Sequence, residues 1–336
     1  MGNLVSILIP AYKAEKWIRE CVSSAVNQIW PQKEVIVVDD GSPDKTFEEA
    51  KRLESRIVKV VTQENTGVCG ARNKALSLAQ GDYIQWLDAD DLLHPEKIAL
   101  QLARDREGQT SSTVLTSAWG KFFFSPDRAR FIRDSLWQDL SAVDWIVTKF
   151  SDNVWMNPAV WLVSRRLTEA AGPWNEELAS SGDDDGEYIC RVVAASTGVR
   201  FVSDAKCYYR IGTVGSLNWN MERSEKSLRS LVLSLKLSIA HLMELENSER
   251  TRKASMQYLR TFLPYFYASD SKLLEGVNEV AHALGGRLDP PTSGWKYSPL
   301  EKLAGPRTTK KVMNNWRAAK LLARRKVDWY LYRMSR

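Results

Sequence analysis

The first 120 residues alternate between short apolar runs and segments with helical periodicity, which is the pattern of an α/β sheet. Residues 5–10 and 34–38 are nearly continuous aliphatic runs, typical of strands that are buried on both faces. Residues 16–29 place apolar side chains every three or four positions, which predicts an amphipathic helix whose buried stripe includes Cys21.

The same alternation continues to the fourth strand. Ser42 can cap a helix that has Pro43 in its first turn and runs through residue 54. The next three predicted elements are a strand over 58–62, a helix over 68–79 and a strand over 82–87.

Beyond residue 150 the pattern becomes mixed and then helical. A strand is predicted over 159–163, a helix over about 184–195, and helices only over about 222–283. Glycine and proline are frequent from 285 to 306, before a last helix. We therefore expect an α/β domain over 1–215, a helical region over 216–284, a Gly/Pro-rich linker over 285–307 and a basic amphipathic helix over 308–336.

Composition is that of an ordinary soluble protein, with 44% hydrophobic and 26% charged residues. No run approaches the ~20 apolar residues of a membrane-spanning helix. Met1 leads directly into the first strand without a signal-peptide pattern, so we expect a cytoplasmic protein. Neither the cysteines nor the histidines have the spacing of a metal site or a disulfide framework: Cys21, Cys69, Cys190 and Cys207, and His94, His241 and His282.

The positive charge is concentrated in the C-terminal segment. Residues 306–336 contain ten Lys or Arg and one acid, Asp328, so they carry +9, whereas residues 1–305 carry −3. This segment suits an anionic membrane surface, which would place the protein at the inner face of a membrane. A helix that packs on its own domain with a solvated basic face is the alternative. No nucleic-acid recognition motif is present, so we do not expect such a partner.

Three predicted strands end in polar or acidic residues. Parallel strands of such sheets bind ligands beyond their carboxyl ends, because helix N-termini and free amides converge there. These ends therefore predict one crevice, formed by Pro10-Ala11-Tyr12, Asp39-Asp40-Gly41-Ser42 and Asp88-Ala89-Asp90-Asp91.

The last of these ends contains a D-x-D pattern. A local turn brings alternate carboxylates, here Asp88 and Asp90, to one side, and hard oxygen ligands suit Mg²⁺ or Mn²⁺ together with phosphate oxygens. Such an ion assists departure of a diphosphate by Lewis-acid catalysis. A solvated acidic loop that caps the following helix is the structural alternative.

Four ordered signatures resemble the family 2 glycosyltransferases. They are the three strand ends above and residues 65–73, and the resemblance covers most of residues 4–215. It implies a GT-A fold, meaning a Rossmann-like sheet with helices on both faces. It also implies a nucleotide-diphospho-sugar donor, a divalent metal and inversion at the anomeric carbon.

The resemblance also implies donor-site roles. Asp40 would accept a hydrogen bond from the base, which suits the imide N–H of uracil. Asp39 would support Asp40 or share this hydrogen bond. Arg72 would lie near the base and phosphates. Asp90 would bind the metal directly, and Asp88 more weakly. The remaining implied donor contacts are Pro10, Ala11 and Tyr12 along the base and ribose, and Asp88 and Ala89. Lys13 departs from the family's usual asparagine.

A catalytic base is implied by the family's Glu-Asp pair, which precedes an arginine by six residues. The matching residues are Asp184, Asp185 and Arg191, so Asp185 is the expected base. Asp184 stays open as an alternative because three consecutive aspartates allow a slip of one residue. An acidic helix N-terminus is the structural alternative.

Tryptophan is frequent, with 13 residues, and three lie in the part expected to face the acceptor. Aromatic rings stack on sugar C–H faces, although tryptophan is also a core residue. The three are Trp155, Trp161 and Trp174.

The sequence thus favours an inverting enzyme that moves a sugar from a nucleotide-linked donor, with UDP as the expected nucleotide, to a glycan or lipid-linked acceptor during cell-surface polysaccharide or glycolipid synthesis. A nucleotidyltransferase is an alternative, but the glycine-rich phosphate loop that it would need after the first strand is absent. The second alternative is a non-catalytic sugar-binding or partner-binding relative of the same fold.

Overall fold

The computed structural model describes residues 3–104, 109–212, 224–266, 271–290, 312, 316, 319 and 323–334. Its ten strands form one mixed sheet. The strands are β1 (Val5–Ala11), β2 (Lys33–Asp39), β3 (Val58–Thr62), β4 (Tyr83–Trp86), β5 (Leu92–Leu93), β6 (Val114–Phe122), β7 (Arg130–Phe131), β8 (Leu140–Ser141), β9 (Leu162–Ser164) and β10 (Gly198–Arg210).

Helices alternate with these strands and then follow them. In chain order they are α1 (Ile18–Val26), α2 (Thr46–Lys51), α3 (Val68–Leu78), α4 (Lys97–Ala103), α5 (Ala142–Asp152), α6 (Arg165–Ala171), α7 (Asp184–Ala194), α8 (Glu225–Leu245), α9 (Glu249–Phe266) and α10 (Ser271–Ala283). Residues 323–334 form a further, C-terminal helix. None of the helices within the described ranges is both long and apolar enough to span a membrane.

The order of the strands brings the predicted crevice together. The main path is β3-β2-β1-β4-β9-β6-β10-β5, and its first four strands are parallel. Ala11 at the end of β1 pairs with Asp39 at the end of β2, and β4 ends on the other side of β1. The carboxyl ends of β1, β2 and β4 therefore lie at one edge of the sheet.

The eight elements predicted up to residue 87 and around 184–195 are present, with ends that shift by up to three residues. The predicted cap of α2 is wrong. Its helix begins at Thr46 without a side-chain cap, and Ser42 instead accepts the backbone N–H of Lys13 (3.0 Å). The strand predicted over 159–163 begins only at Leu162, after a 3₁₀ turn over Pro158–Val160.

The sequence did not predict β6 and β10. They pair in parallel along most of their length, with an irregularity between Val202 and Lys206. Their buried faces carry polar side chains such as Thr116 and Ser117, so neither strand shows a continuous apolar run. Partners in the fold satisfy these groups: Thr116 donates to the carbonyl of Arg200, for example.

The helices α8, α9 and α10 share one hydrophobic core with the sheet domain. Leu231 and Leu235 of α8 and Leu259 of α9 belong to the same buried cluster as the strands. Of the segments expected from the sequence, residues 216–223 of the helical region and 291–307 of the linker lie outside the described residues.

Described residues of the C-terminal helix, among them Arg325, Asp328 and Tyr332, contact the domain. Asp328 accepts the backbone N–H of Phe124 (3.2 Å), while Tyr332 stacks on the Phe124 ring at 6.1 Å between centroids. Arg325 lies 5.7 Å from the same ring. This helix therefore packs beside the end of β6.

Candidate active site

The acidic residues after β4 form a loop that Arg210 fixes in place. The Arg210 backbone N–H donates to Asp91 Oδ1 (2.8 Å), and its Nε donates to the carbonyl of Asp90 (2.8 Å). Its Nη2 donates to Glu20 (2.7 Å), and its side chain is almost fully buried. Sequence reasoning missed the roles of Arg210 and Asp91, because these contacts join residues about 120 positions apart.

Arg72 connects this acid loop to the N-terminus of α7. Its Nη1 donates to Asp184 Oδ2 (2.6 Å) and its Nη2 to Asp88 Oδ1 (3.1 Å). The guanidinium is buried, with 4% of the residue exposed. One cation thus holds two carboxylates from opposite sides of the crevice, and its first partners are protein groups rather than the base and phosphates expected from the sequence.

Trp174 supports Arg72 from below. The Arg72 guanidinium lies 4.1 Å from the Trp174 ring centroid, and that ring stacks on Tyr188 at 3.9 Å. The side chain of Asn73, next to Arg72, fixes the backbone of Trp174. It accepts a hydrogen bond from the Trp174 backbone N–H (2.8 Å) and donates one to the Trp174 carbonyl (3.0 Å). Sequence reasoning did not identify Asn73 in this role.

The three tryptophans predicted on the acceptor side differ in exposure. Trp161 and Trp174 are 1% and 2% exposed, so neither presents a ring face to an acceptor in this structure. Both belong to the core, since the rest of the fold packs around them. Trp155 is 39% exposed and lines a surface pocket.

The consecutive aspartates at the start of α7 have separate environments. Asp184 is buried against Arg72, and burial raises its pKa although the guanidinium opposes that shift. Asp185 is only partly buried, and within the described residues its carboxylate accepts only the N–H of Gly186 (2.9 Å). Burial, then the carboxylates of Asp184 and Asp183, raise the pKa of Asp185, as suits a group that takes up a proton.

Asp183 is held by the helical region. Its Oδ2 accepts from the hydroxyls of Tyr258 in α9 (2.7 Å) and Ser234 in α8 (2.9 Å). Lys149 of α5 approaches the same Tyr258 hydroxyl at 3.4 Å. Helices α5, α8 and α9 therefore determine where α7 begins, and with it the position of Asp185.

Arg191 fixes α7 to the preceding turn. It pairs with Glu187 one helical turn earlier (2.9 Å) and donates to the carbonyls of Ala171 and Pro173. Glu187 also contacts His241 of α8 at 3.1 Å. Arg191 is thus a structural residue of α7.

The two aspartates at the end of β2 also have different roles. Both carboxylate oxygens of Asp40 accept from the next loop: Oδ1 from Gln63 (2.8 Å) and Thr66 (2.9 Å), and Oδ2 from Gly67 (2.9 Å). Asp39 Oδ2 accepts from Thr62 (3.0 Å), but its buried Oδ1 has no hydrogen-bond partner among the described residues. The acceptor left for a ligand is therefore on Asp39 rather than on Asp40.

The end of β1 presents one exposed aromatic ring. Pro10 and Ala11 are buried, while Tyr12 is 46% exposed and lies under the Lys13 ammonium at 5.0 Å. Lys13 has a φ of +52°, a left-handed conformation that asparagine adopts more readily than lysine. The asparagine expected at this position from the resemblance would therefore fit the backbone with less strain than the lysine that is present.

The acid loop provides donors that fit a hard divalent cation. Asp88 and Asp90 are both partly exposed at the crevice, and the chain there turns so that Asp91 points to Arg210 instead. Across the part of the chain that the structure describes, no three His, Cys, Asp or Glu side chains form a complete metal cage. Two carboxylates completed by phosphate oxygens and water fit Mg²⁺ or Mn²⁺.

We predict that Arg72→Ala lowers the free energy of unfolding by about 3–5 kcal/mol, because it leaves the buried Asp184 carboxylate without its cation. Urea unfolding followed by circular dichroism measures this change. The control is Arg52→Ala, which removes an exposed pair with Glu49 and should change stability by less than about 1 kcal/mol. Equal effects of the two substitutions would contradict the central role of Arg72.

Comparisons with known proteins show which families and folds this chain is similar to. The family model "Glycosyl transferase family 2" matches residues 6–137. Chondroitin synthase of Pasteurella multocida is 40% identical over 116 residues, which are 34% of this chain and 12% of that protein. Glycosyltransferase GlyG of Streptococcus pneumoniae is 28% identical over 225 residues, covering 62% of this chain and 71% of GlyG.

Solved structures share the fold at low identity. S. aureus TarS 1–349 in complex with UDP-GlcNAc superposes with a TM-score of 0.64 at 19% identity, covering 84% of this chain and 80% of that one. Mannosyltransferase PcManGT of Pyrobaculum calidifontis, in complex with GDP-Man and Mn²⁺, gives 0.54 at 17%, covering 94% and 88%. The predicted GT-A type sheet with a helical C-terminal region is confirmed. Residues 6–137 thus match glycosyl transferase family 2, and the relatives to which the chain is similar are glycosyltransferases.

Proposed function

We propose that this chain transfers a sugar from a UDP-linked donor to a hydroxyl of a glycan or lipid-linked glycan, with inversion, during synthesis of a cell-surface polysaccharide or glycolipid. The observation that carries the proposal is the Arg72 bridge between Asp88 and Asp184. It supports the proposal because Asp88, which we assign to the metal and diphosphate, and Asp184, the neighbour of the proposed base Asp185, bond to the same guanidinium. Two matches are consistent with this class of product and donor: a chondroitin synthase and a structure of TarS with UDP-GlcNAc.

Recognition of uracil is supported by the environment of Asp39. Its unpartnered Oδ1 is a buried acceptor at the end of β2, next to the end of β1. The imide N–H of uracil is a donor that this oxygen can accept, and burial of an unpaired carboxylate oxygen is unfavourable until such a donor arrives. The exposed Tyr12 ring at the end of β1 is suited to stack on the base. We assign the base contact to Asp39 and the fixing of its loop to Asp40.

Asp90 and Asp88 would hold a divalent metal, Mn²⁺ or Mg²⁺, with Asp90 as the direct ligand. When bound, the ion supplies charge neutralisation for the departing diphosphate. Arg72 contributes by keeping Asp88 in place at 3.1 Å. The backbone of Ala89 lies between these two acids in the same loop of the crevice.

Asp185 is the proposed general base. Its carboxylate is partly exposed and bonded only to Gly186 among the described residues, so it is available to the acceptor hydroxyl. The carboxylate takes the hydroxyl proton while that oxygen bonds to the anomeric carbon, and the bond to the nucleotide diphosphate breaks on the opposite face. Asp184 is less suited, because Arg72 holds its carboxylate and it is nearly fully buried.

We further propose that the C-terminal helix lies on an anionic membrane surface. Its body-facing residues are Arg325, Asp328 and Tyr332, so its predicted apolar stripe faces away from the protein. Exposure along that stripe is high: Val312 48%, Trp316 61%, Val327 59%, Tyr330 61% and Met334 83%. Both interpretations of the sequence are therefore compatible, since one face packs and the other stays open. A peripheral cytoplasmic location follows from this proposal.

Calorimetric titration with UDP, GDP, ADP and dTDP, each with Mn²⁺ and with chelator, tests the donor site. We expect UDP to bind in the presence of Mn²⁺, and Asp90→Ala to abolish the dependence of UDP binding on metal.

Asp39→Asn should lower the affinity for UDP about tenfold or more, the size of one charge-assisted hydrogen bond. Asp204→Ala, an exposed acid on β10, is the control. Undiminished, metal-dependent UDP affinity in Asp90→Ala would refute the metal assignment, and no nucleotide binding would favour a non-catalytic relative.

Asp185→Asn should preserve UDP affinity and lower turnover by about 10²–10⁴-fold, because only proton transfer is removed. The measurement is the steady-state rate of UDP release from a UDP-sugar. Asp184→Asn should instead lower stability, since Asp184 neutralises Arg72. An active Asp185→Asn together with a stable but inactive Asp184→Asn would shift the base to Asp184.

The double variant Leu331→Asp/Met334→Asp should reduce cosedimentation with vesicles of phosphatidylglycerol and phosphatidylcholine roughly tenfold or more, because it adds negative charge to the exposed face. Vesicles of phosphatidylcholine alone should bind weakly in every case. Ile29→Asp, which changes an equally open apolar residue on the domain, should have no effect. Unchanged partitioning of the double variant would contradict membrane attachment through this helix.

A further inference from the structure

A pocket of about 190 Å³ lies beside the crevice, and none of the donor-site residues lines it. It is formed by the end of β6, by β7 and its following loop, and by the residues after α5. Its volume is below the ~300–1,000 Å³ of sites that enclose a whole drug-sized ligand, so it suits one residue of a longer chain. We name it the Trp155 pocket, and its main lining residues are Trp119, Lys121, Arg130, Asp134, Asn153 and Trp155.

The position of the pocket suits an acceptor. Trp119 and Lys121 of β6 pair with Cys207 and Tyr209 of β10, and the next residue of β10 is Arg210, which bonds to the acid loop. On the other side, α5 ends at the pocket and contacts the Asp183 network through Lys149. The Trp155 pocket therefore adjoins both the acid loop and the start of α7, where the proposed base lies.

The aromatic side chains form a rigid platform. Trp155 contacts Trp119 at 4.9 Å and Tyr209 at 5.4 Å between ring centroids, while part of its ring surface remains exposed. Two neighbouring rings thus fix its orientation, which limits the entropy lost when a ligand stacks on it. The buried Trp119 Nε1–H has no hydrogen-bond partner among the described residues. Such a platform suits the C–H face of a sugar ring.

The charges of the pocket form no close ion pair, although Lys121 and Asp134 are near enough to stabilise each other weakly. Lys121 Nζ lies 5.1 and 5.3 Å from the Trp119 and Trp155 rings, and no carboxylate of the described residues comes within 4 Å of it. Burial lowers the pKa of Lys121 and raises the pKa of Asp134, so both groups are partly desolvated. Arg130 adds a second cation at the exposed rim. Two cations and one acid leave the pocket with an excess of positive charge.

We propose that the Trp155 pocket binds one anionic sugar residue of the acceptor glycan, with its ring on Trp155, its carboxylate or phosphate at Lys121 and Arg130, and a hydroxyl at Asp134. This inference rests on the proposed glycosyl transfer and deepens it, because it names the chemical class of the acceptor. A neutral residue would leave the partly desolvated Lys121 with only the more distant Asp134 as a counter-ion, whereas an anionic group neutralises it with a charge-assisted hydrogen bond.

The test is calorimetric titration of the full chain with three probes. They are a tetrasaccharide of alternating hexuronate and N-acetylhexosamine, the same tetrasaccharide with its carboxyl groups reduced to alcohols, and a glycerol phosphate oligomer. We expect the acidic tetrasaccharide to bind about tenfold or more tightly than the reduced one, the size of one charge-assisted hydrogen bond. Tighter binding of the phosphate oligomer, which has no sugar ring, would overturn the stacking of a sugar on Trp155.

Two variants assign this preference to the pocket. Lys121→Gln should reduce the ratio between acidic and reduced tetrasaccharide to near one, and Trp155→Ala should weaken both about tenfold or more. Lys206→Gln is the matched control, since this exposed lysine lies 5.8 Å from Phe131 on the adjoining strand. It should leave both affinities unchanged.

UDP titration of the same samples separates the two proposals. Equal binding of acidic and reduced tetrasaccharide, or no binding of any probe by protein that binds UDP, would overturn the anionic acceptor site alone. Retention of the preference in Lys121→Gln would also overturn it. Binding of the acidic probe without any binding of UDP would support the pocket and refute the proposed transfer from UDP-sugar.

Discussion

The buried guanidinium of Arg72 is the interaction on which the arrangement of the site depends. It bonds to Asp88 after β4 and to Asp184 at the start of α7, two residues that are 96 positions apart in the chain. A buried charge is unfavourable unless it is paired. If either carboxylate moved away, the buried Arg72 guanidinium would lose part of its pairing, so both carboxylates stay in place. The acid loop after β4 and the start of α7 are thereby held in one geometry.

The surrounding contacts make this geometry rigid. Trp174 supports the guanidinium from below, Arg210 fixes the acid loop from the side, and Asp183 fixes the first turn of α7. The partners of Asp183 come from α8 and α9, which also share the central core. The helices after residue 224 therefore belong to the construction of the site, and a description of them as an extension of the sheet domain is incomplete.

The same contacts separate residues that are adjacent in sequence into different tasks. Asp39 and Asp40 differ because the loop after β3 satisfies both oxygens of Asp40, whereas one buried oxygen of Asp39 has no hydrogen-bond partner among the described residues. Asp184 and Asp185 differ because α7 turns successive side chains by about 100°, so that only Asp184 meets Arg72. In both pairs, the fold occupies one carboxylate, and its neighbour is the one to which we assign a role with the ligand.

Much of this protein followed from its sequence alone. Strands buried on both faces leave continuous apolar runs, and their acidic ends at Asp39 and Asp88 marked the crevice because parallel strands end at one edge of a sheet. The ordered signatures then indicated the family. The strands β6 and β10 left no such signal, since their buried polar groups are satisfied only by partners distant in the chain.

The tertiary structure decided which of the candidate residues a ligand can reach. Trp155, Trp161 and Trp174 cannot be distinguished from the sequence alone. Packing buries Trp161 and Trp174, whereas Trp155 stays exposed at a pocket. Likewise, the periodicity of the C-terminal helix identified an apolar stripe, but only its contacts at Asp328 and Tyr332 showed that the stripe faces outward. Periodicity is a local property of the chain, whereas exposure and hydrogen-bond partners depend on which distant segments pack against each residue.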